Sequence, residues 1–335
     1  MEGDLAGRVR SGDRAALARA LTLVENGVDE SGDEAAMAAL LTGTVRAHVV
    51  GVTGSPGAGK STLIGQLARR LRQGGLRVGI LAVDPTSPFS GGAVLGDRLR
   101  MALSADDPGL FMRSVASRGQ QGGVALAVFG MVRVLDAAGM EVIFVETVGA
   151  GQNDVAVLGV ADTVLLVINP GSGDEIQALK AGVIEIGDVV VVHKADLPSA
   201  DEAYRALVAI LRMGPPTASG WEVPILMASS VRGSGLDDIL EALRRHREFL
   251  AGGPAGQSRR RLQAEWELRA ALEAAVDAHI VRPAKAEGRW EALAGAIAAG
   301  QLSSARAAAA LLDAGRMEAA SHGPGSFGGG EARRL

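Results

Sequence analysis

The stretch that decides the fold is Gly51-Val-Thr-Gly-Ser-Pro-Gly-Ala-Gly-Lys-Ser-Thr62. Within it, Gly54 to Ser61 follows the pattern G-x-x-x-x-G-K-S. An apolar run precedes this pattern, and apolar residues at helical spacing follow it. The order is therefore strand, glycine-rich turn and helix, which is the context of a phosphate-binding P-loop.

The residue types of this turn suit a nucleoside triphosphate. Glycines allow successive backbone N–H groups to converge on a phosphate, and the amino end of the following helix adds its positive dipole. Lys60 can reach the β- and γ-phosphates, and the Ser61 hydroxyl can coordinate Mg²⁺. We predict nucleotide contacts from Gly54, Ser55, Pro56, Gly57, Ala58, Gly59, Lys60, Ser61 and Thr62.

The composition excludes several classes of function. The chain has no cysteine, which excludes disulfides, thiol catalysis and thiolate metal sites. Its net charge of −4 argues against a nucleic-acid partner. The first residues are charged and no run of about twenty apolar residues occurs. We therefore expect no signal peptide, no membrane segment and a cytoplasmic protein.

Alternating apolar runs and helical patterns predict an α/β fold, a mostly parallel sheet flanked by helices. The apolar runs lie at 48–52, 77–83, 110–115, 141–145, 162–168, 188–193 and 223–227. The helical patterns between them lie at 60–73, 122–138, 174–186, 201–212 and 236–250. Ligands of such folds bind at the carboxyl ends of the strands, where the remaining motifs fall.

The chain divides into four predicted regions. Residues 1–46 form a helical extension, in which Ser11 is an expected N-cap and a second helix runs from about 32 to 46. Residues 47–251 form the nucleotide-binding domain. A Gly/Pro-containing linker at 252–258 opens a helical arm over 252–315, and the glycine-rich tail 316–335 is expected to be disordered.

Two aspartates are candidate ligands of the metal or of its waters. Asp84 ends an apolar strand and precedes proline. Asp97 follows Gly91-Gly92 and Gly96, which suggests a segment that closes on nucleotide. Asp97 alone would be interpreted as a helix cap, but together with Asp84 and the P-loop it favours a switch segment.

Glu146 ends another apolar strand, and Gly149 follows three residues later. The carboxylate can orient Mg²⁺-bound waters or the attacking water, and the glycine amide can sense the γ-phosphate. We predict that Lys60, Asp97 and Glu146 are catalytic and that Ser61, Asp84, Asp97 and Glu146 surround the metal. Gln152 either positions water or caps the next helix, and the sequence leaves both readings open.

The strand at 188–193 ends in His193-Lys194-Ala195-Asp196, which resembles the guanine-specificity motif Asn-Lys-x-Asp. The Asp196 carboxylate would accept hydrogen bonds from guanine N1–H and N2–H₂, and Lys194 would lie along the base. His193 replaces asparagine and lacks the paired donor and acceptor of an amide. We expect guanine specificity, with affinity lowered by His193.

Ser229, Ser230 and Val231 follow the last predicted strand and precede an amphipathic helix. They resemble the fifth guanine-nucleotide motif, in which backbone amides contact the base oxygen. We therefore include these three residues in the predicted nucleotide site.

Together these motifs resemble the methylmalonyl-CoA mutase-associated GTPases, of the MeaB/ArgK type. The resemblance covers about residues 5–315. Besides the P-loop, the matching strings include Ala82-Val-Asp-Pro-Thr-Ser87, Leu95-Gly-Asp-Arg98, Arg113-Ser-Val-Ala-Ser-Arg-Gly119, Glu146-Thr-Val-Gly-Ala-Gly-Gln152 and Pro170-Gly-Ser-Gly-Asp-Glu175. The strings at 83–87 and 146–152 are far more selective than the P-loop.

The resemblance implies a GTP-hydrolysing chaperone that gates adenosylcobalamin loading into an acyl-CoA mutase and exchange of damaged cofactor. It also implies Mg²⁺, slow intrinsic hydrolysis, binding of GTP and GDP, and a homodimer formed through the C-terminal arm. The switch and mutase-contacting residues implied are Gly149, Gln152, Asp174, Glu175 and Lys180.

Three alternatives remain open. A metal-insertion GTPase needs soft or imidazole ligands, but the chain has no cysteine and only five scattered histidines. A small-molecule kinase would need an acceptor pocket and should not select guanine. A partner-binding module with a degraded nucleotide site is disfavoured by the intact Lys60, Ser61 and Glu146.

Overall fold

The computed structural model describes residues 4–26, 33–84, 107–116, 121–147, 159–170, 186–213 and 220–321. The predicted α/β class is confirmed. Seven parallel strands form one sheet in the order β3-β2-β4-β1-β5-β6-β7. They are β1 (His48–Thr53), β2 (Val78–Asp84), β3 (Leu110–Ala116), β4 (Val142–Thr147), β5 (Thr163–Ile168), β6 (Val189–His193) and β7 (Ile225–Ala228).

Helices cover both faces of the sheet. In the first of two compact units, Met1–Leu268, the described helices begin with α1 (Leu5–Arg10), α2 (Arg14–Asn26), α3 (Glu34–Leu41) and α4 (Lys60–Gln73). They continue with α5 (Gln121–Ala137), α6 (Ala200–Met213) and α7 (Leu236–Ala251), and α8 (Pro254–Val276) begins in this unit and ends in the second one.

The alternation of side chains along β1 shows how the two faces are filled. Val49 packs in a cluster with Leu17 and Leu21 of α2, whereas Val50 packs with Leu63 and Leu67 of α4. All of these side chains are buried. Because successive residues of a strand point to opposite faces, a strand covered by helices on both sides must be apolar throughout. The central strands are therefore continuous apolar runs.

The amino-terminal helices differ from the prediction in their caps. Asp13, not Ser11, caps α2, since its carboxylate accepts hydrogen bonds from the N–H groups of Ala15 and Ala16 at 2.9 and 3.1 Å. Ser11 instead follows the end of α1 and donates its hydroxyl to Arg8. The second predicted helix also ends early, at Leu41, and Gly43 beyond it has φ +105°.

The predicted linker at 252–258 is largely helical. Helix α8 begins at Pro254, because proline is well tolerated in the first turn, where an N–H group has no partner within the helix. Three of its side chains, spaced four residues apart, contact the sheet domain. Arg259 binds both carboxylate oxygens of Asp188 at 2.7 Å, Gln263 donates to Asp162 at 3.2 Å, and Glu267 pairs with Arg133 at 2.6 Å.

The second compact unit, Arg269–Leu335, is helical where it is described. A π-helical turn spans Asp277–Val281, and the helices after it are α9 (Arg282–Ala286), α10 (Arg289–Ala298) and α11 (Ser304–Ser321). Helix α11 extends into the predicted disordered tail, and residues 322–335 lie outside the described part of the chain. None of the described helices is long and apolar enough to cross a membrane.

Candidate nucleotide-binding site

The P-loop connects the central strand β1 to α4. Gly54, Gly57 and Gly59 have φ values of +146°, +78° and +91°, which favour glycine. A Cβ atom on Gly54 would lie 2.0 Å from the Val167 carbonyl oxygen, so the loop passes directly against β5. No side chain caps α4 at Gly59. The N–H groups of its first turn are thus suited to an anion.

Lys60 is held within this loop. Only 6% of the residue is exposed, and Nζ donates to the carbonyl oxygens of Gly54 and Ser55 at 2.7 and 3.0 Å. The two carbonyls hold the ammonium beside the turn that would hold the phosphates. A buried ammonium acts strongly on a nearby phosphate, because little water screens its charge.

Ser55 provides a test of whether the loop fits a nucleotide. Its Oγ atom is buried and has no hydrogen-bond partner among the described residues. A buried hydroxyl without a partner costs stability, and a phosphate oxygen would supply an acceptor. The exposed residues of the loop are Pro56, Gly57 and Thr62.

Ser61 and Glu146 meet although 85 residues separate them. The Ser61 hydroxyl donates to Oε1 of Glu146 at 2.5 Å, and Glu146 is 5% exposed. Strand order brings them together, since Glu146 on β4 lies beside Val52 on β1, just before the P-loop. A hydroxyl and a carboxylate oxygen are the hard donors that Mg²⁺ prefers, so this pair fits the predicted metal.

The remaining predicted metal and switch residues are only partly described. Asp84 is the last residue of β2. The residue before it, Val83, pairs with Thr147 on β4. This places the Asp84 backbone at the strand edge that carries Glu146, while its side chain lies outside the described part. Six further residues lie outside the described ranges: Asp97, Gly149, Gln152, Asp174, Glu175 and Lys180.

His193 lies between the P-loop and the loop after β7, which runs from Ser229 to Ser234. The residue is 3% exposed; Nδ1 lies 2.7 Å from the Ala58 carbonyl oxygen and Nε2 lies 2.7 Å from Ser230 Oγ. A carbonyl only accepts, so Nδ1 carries the proton and Nε2 accepts from Ser230. Burial lowers the pKa of His193, which favours this neutral form. The ring thus bonds to protein partners through both nitrogens.

The close packing of this ring explains one glycine. A Cβ atom on Gly59 would lie 2.5 Å from His193 Nδ1. The imidazole therefore packs directly beneath the P-loop, between it and Ser230. His193 is predicted to contact the base, and in the structure its ring lies between the P-loop and Ser230, with each nitrogen bonded to a protein group.

Lys194 follows with a backbone conformation that is rare for its type. It is the non-glycine residue with positive φ, +56°, in the described part of the chain. Its Nζ donates to the Gly57 carbonyl at 2.7 Å, so the aliphatic stem spans from the loop after β6 to the P-loop. Such strained residues cluster at ligand sites. The predicted position of Lys194 along a base plane is consistent with this reach.

Asp196, the predicted acceptor for the base, is held by a serine of the loop after β7. Its Oδ1 accepts from Ser229 Oγ at 2.5 Å, and this bond lowers the pKa of the carboxyl. Ser229 is buried and pairs with Ser234 through two backbone hydrogen bonds. These close the loop that carries Ser230 and Val231, whose side chain is 89% exposed.

Gly235 was not singled out from the sequence, yet it shapes this loop. It has φ +74°, and a Cβ atom there would lie 2.0 Å from the Met227 carbonyl oxygen. Glycine alone therefore allows the chain to turn from the Ser229 loop into α7. The repeated glycines at 233 and 235 were the available signal.

The chain is similar to a family of GTPases and to relatives named as GTPases. The family model described as methylmalonyl Co-A mutase-associated GTPase MeaB matches residues 17–285. A Pyrococcus horikoshii homologue named as a GTPase is 45% identical over 268 residues, covering 79% of this chain and 84% of its own. A Mycobacterium tuberculosis homologue, also named as a GTPase, is 41% identical over 315 residues, covering 92% and 94%.

A solved structure has a similar fold over most of the chain. The crystal structure of a LAO/AO transport system kinase superposes with a TM-score of 0.66 at 26% identity, covering 92% of this chain and 95% of that one. The described residues bring a P-loop, the Ser61–Glu146 pair and the loops after β6 and β7 together at the carboxyl ends of the strands. The chain belongs to the family of methylmalonyl-CoA mutase-associated GTPases, MeaB.

Proposed function

We propose that this P-loop GTPase is a Mg²⁺-dependent chaperone that gates adenosylcobalamin loading into an acyl-CoA mutase and protects or reactivates that mutase. The observation that carries the proposal is the Ser61–Glu146 hydrogen bond beside the P-loop in a chain matched by the mutase-associated family. It supports a site built for triphosphate hydrolysis. The acyl-CoA mutase is the client that the family description suggests.

Base selection would depend on Asp196. Its ionised carboxylate can accept both the N1–H and N2–H₂ hydrogen bonds of guanine, whereas adenine offers a lone pair at N1. Ser229 orients this carboxylate through its 2.5 Å hydrogen bond. Ser230 and Val231 lie in the adjoining loop, where backbone N–H groups would face the base oxygen.

Phosphate chemistry would be shared among a few side chains. Lys60 would leave the two carbonyls that it now contacts and stabilise charge on the β/γ-phosphates. Mg²⁺, when bound, would neutralise phosphate charge, and Ser61 and Glu146 supply the oxygen donors for it. We propose Asp84 and Asp97 as further groups around the metal. Intrinsic hydrolysis would be slow, because such sites are usually completed by a partner.

The helical arm over 252–315 would form a cytoplasmic homodimer. Several large apolar side chains of the second unit are exposed, among them Leu272 at 63% and Leu312 at 48%. Such side chains favour burial against another surface. We propose that Asp174, Glu175 and Lys180 contact the mutase, and that Gly149 and Gln152 belong to the switch that responds to the γ-phosphate.

The direct test is GTP hydrolysis with and without an adenosylcobalamin-dependent mutase from the same genome. We expect a stable complex and faster hydrolysis in its presence. Asp196→Asn should lose the preference for GTP over ATP, while retaining its fold. If the protein hydrolyses GTP but neither binds the mutase nor is stimulated by it, the GTPase activity stands and the proposed role as a mutase chaperone is wrong.

Two parallel measurements separate the alternatives. A metal-insertion GTPase would bind Ni²⁺ or Zn²⁺ stoichiometrically in a titration. A small-molecule kinase would transfer the γ-phosphate to an acceptor other than water, and a phosphorylated product would accumulate. Release of inorganic phosphate selective for GTP, with no stoichiometric Ni²⁺ or Zn²⁺ binding and no phosphorylated product, supports the proposal over both.

A further inference from the structure

A cavity lies at the amino ends of the strands, opposite the carboxyl ends that carry the nucleotide site. Its volume is about 760 Å³, within the range of small-molecule sites. Ala47 and Glu141 line it, immediately before β1 and β4, whereas the P-loop follows β1. A six-residue strand spans about 20 Å, so the cavity is well separated from the phosphates.

Four arginines from different segments converge on this cavity: Arg10 on α1, Arg46 before β1, Arg133 on α5 and Arg247 on α7. No lysine lines it. Guanidinium groups present forked donors that match phosphate and carboxylate oxygens. Like charges gathered at a concave wall raise the local potential and attract anions.

Most of these guanidinium groups keep free hydrogen-bonding capacity. Arg10 and Arg247 each donate to one backbone carbonyl, that of Ala39 at 3.0 Å and that of Arg46 at 2.7 Å. Neither of them, nor Arg46, forms an ion pair among the described residues. Arg133 is paired with Glu267 at 2.6 Å.

Two acidic side chains, Asp136 and Glu141, also line the cavity, and each accepts hydrogen bonds from backbone N–H groups. Asp136 Oδ1 accepts the N–H groups of Arg46 and Ala47 at 2.9 and 2.7 Å. Glu141 accepts the N–H of Arg77 at 2.9 Å. Because both carboxylates are bonded to the backbone, they shape the cavity wall without forming ion pairs with the arginines.

We infer that this cavity binds a small polyvalent anion carrying phosphate groups, independently of GTP. The concave wall and its volume of about 760 Å³ suit a small molecule, and the guanidinium forks would hold its oxygens. Occupancy would tie α1, α7 and the segment before β1 together, since each contributes an arginine. This site would therefore sense a phosphorylated metabolite from the amino ends of the strands, opposite the GTPase centre.

The test is calorimetric titration of pyrophosphate into the full-length protein saturated with GDP, which occupies the P-loop. We expect saturable binding that weakens as salt rises. The double substitution Arg46→Gln/Arg247→Gln should weaken it at least about tenfold, since each lost charged hydrogen bond accounts for such a factor. Both residues are exposed, and the GTPase rate and the circular dichroism spectrum should be unchanged.

Arg245→Gln is the matched control, because Arg245 is exposed on the same helix but does not line the cavity. It should bind pyrophosphate like the wild type. Equal affinity of the wild type and the double variant, or no saturable binding, would overturn the inference. Tighter binding of citrate than of pyrophosphate would overturn the phosphate class, and binding of an acidic peptide alone would assign the surface to a protein partner.

Discussion

His193 offers a sharp test of how the nucleotide site is held together. The substitution His193→Phe keeps a planar ring of similar shape but removes both hydrogen bonds. The Ala58 carbonyl is then left without its donor in a buried position, and Ser230 loses its acceptor. A buried polar group left unpaired costs about 1–3 kcal/mol, and a lost bond at a partly exposed group costs about 1 kcal/mol.

The expected total is therefore about 2–4 kcal/mol, divided between the free energy of unfolding and that of nucleotide binding. If about half falls on binding, GTP affinity drops roughly 5- to 30-fold. Because the ring contacts protein on both nitrogens, the preference for GTP over ATP should not change. Asp196→Asn should produce the opposite pattern, with lost preference and little loss of stability.

The assay combines denaturant unfolding with equilibrium binding of fluorescent GTP and ATP analogues. His193→Asn is the informative control, since an amide supplies one donor and one acceptor and should recover much of the loss. Wild-type stability and affinity in His193→Phe would refute this role of the ring. A change in the GTP-to-ATP preference as large as that of Asp196→Asn would show that the ring reads the base instead.

Three further predictions concern catalysis, metal binding and pH. Lys60→Ala should abolish hydrolysis and weaken nucleotide binding with the fold retained, and a wild-type rate in a phosphate-release assay would contradict the site. Glu146→Gln should raise the Mg²⁺ concentration needed for half-maximal hydrolysis about 10–100-fold, because it weakens the group that orients Ser61; an unchanged Mg²⁺ dependence would reject this pairing. Burial lowers the pKa of His48 to about 3, below its value of 6.5 in the unfolded chain, so the unfolded state binds the extra proton. The stability contribution is complete above pH 6.5 and is lost as pH falls from there towards 3, by about 1.4 kcal/mol per pH unit. His48→Gln should flatten the pH dependence of the unfolding free energy by that slope, and an identical slope would refute it.

Local patterns gave most of the fold because the physical constraints on the strands are local. A strand buried on both faces must be apolar at nearly every position, so each apolar run in the sequence predicts where a strand lies. Cap assignments were less secure: Ser11 and Asp13 are both good N-cap types two residues apart. The Asp13 carboxylate reaches two N–H groups of α2, whereas Ser11 lies at the end of α1. The composition of 252–258 indicated a linker, but Pro254 fits the first turn of a helix equally well.

The phosphate loop, its lysine and serine, and the charged residues at strand ends could all be predicted from sequence, because each belongs to a contiguous motif with fixed spacing. The contacts that those residues make depend on the tertiary fold. Ser61 meets Glu146 because β4 lies beside β1 in the sheet. His193 meets Ala58 and Ser230 because β1, β6 and β7 all end at the same edge. Strand order is set by packing across the whole domain, and it places the His193 ring between Ala58 and Ser230.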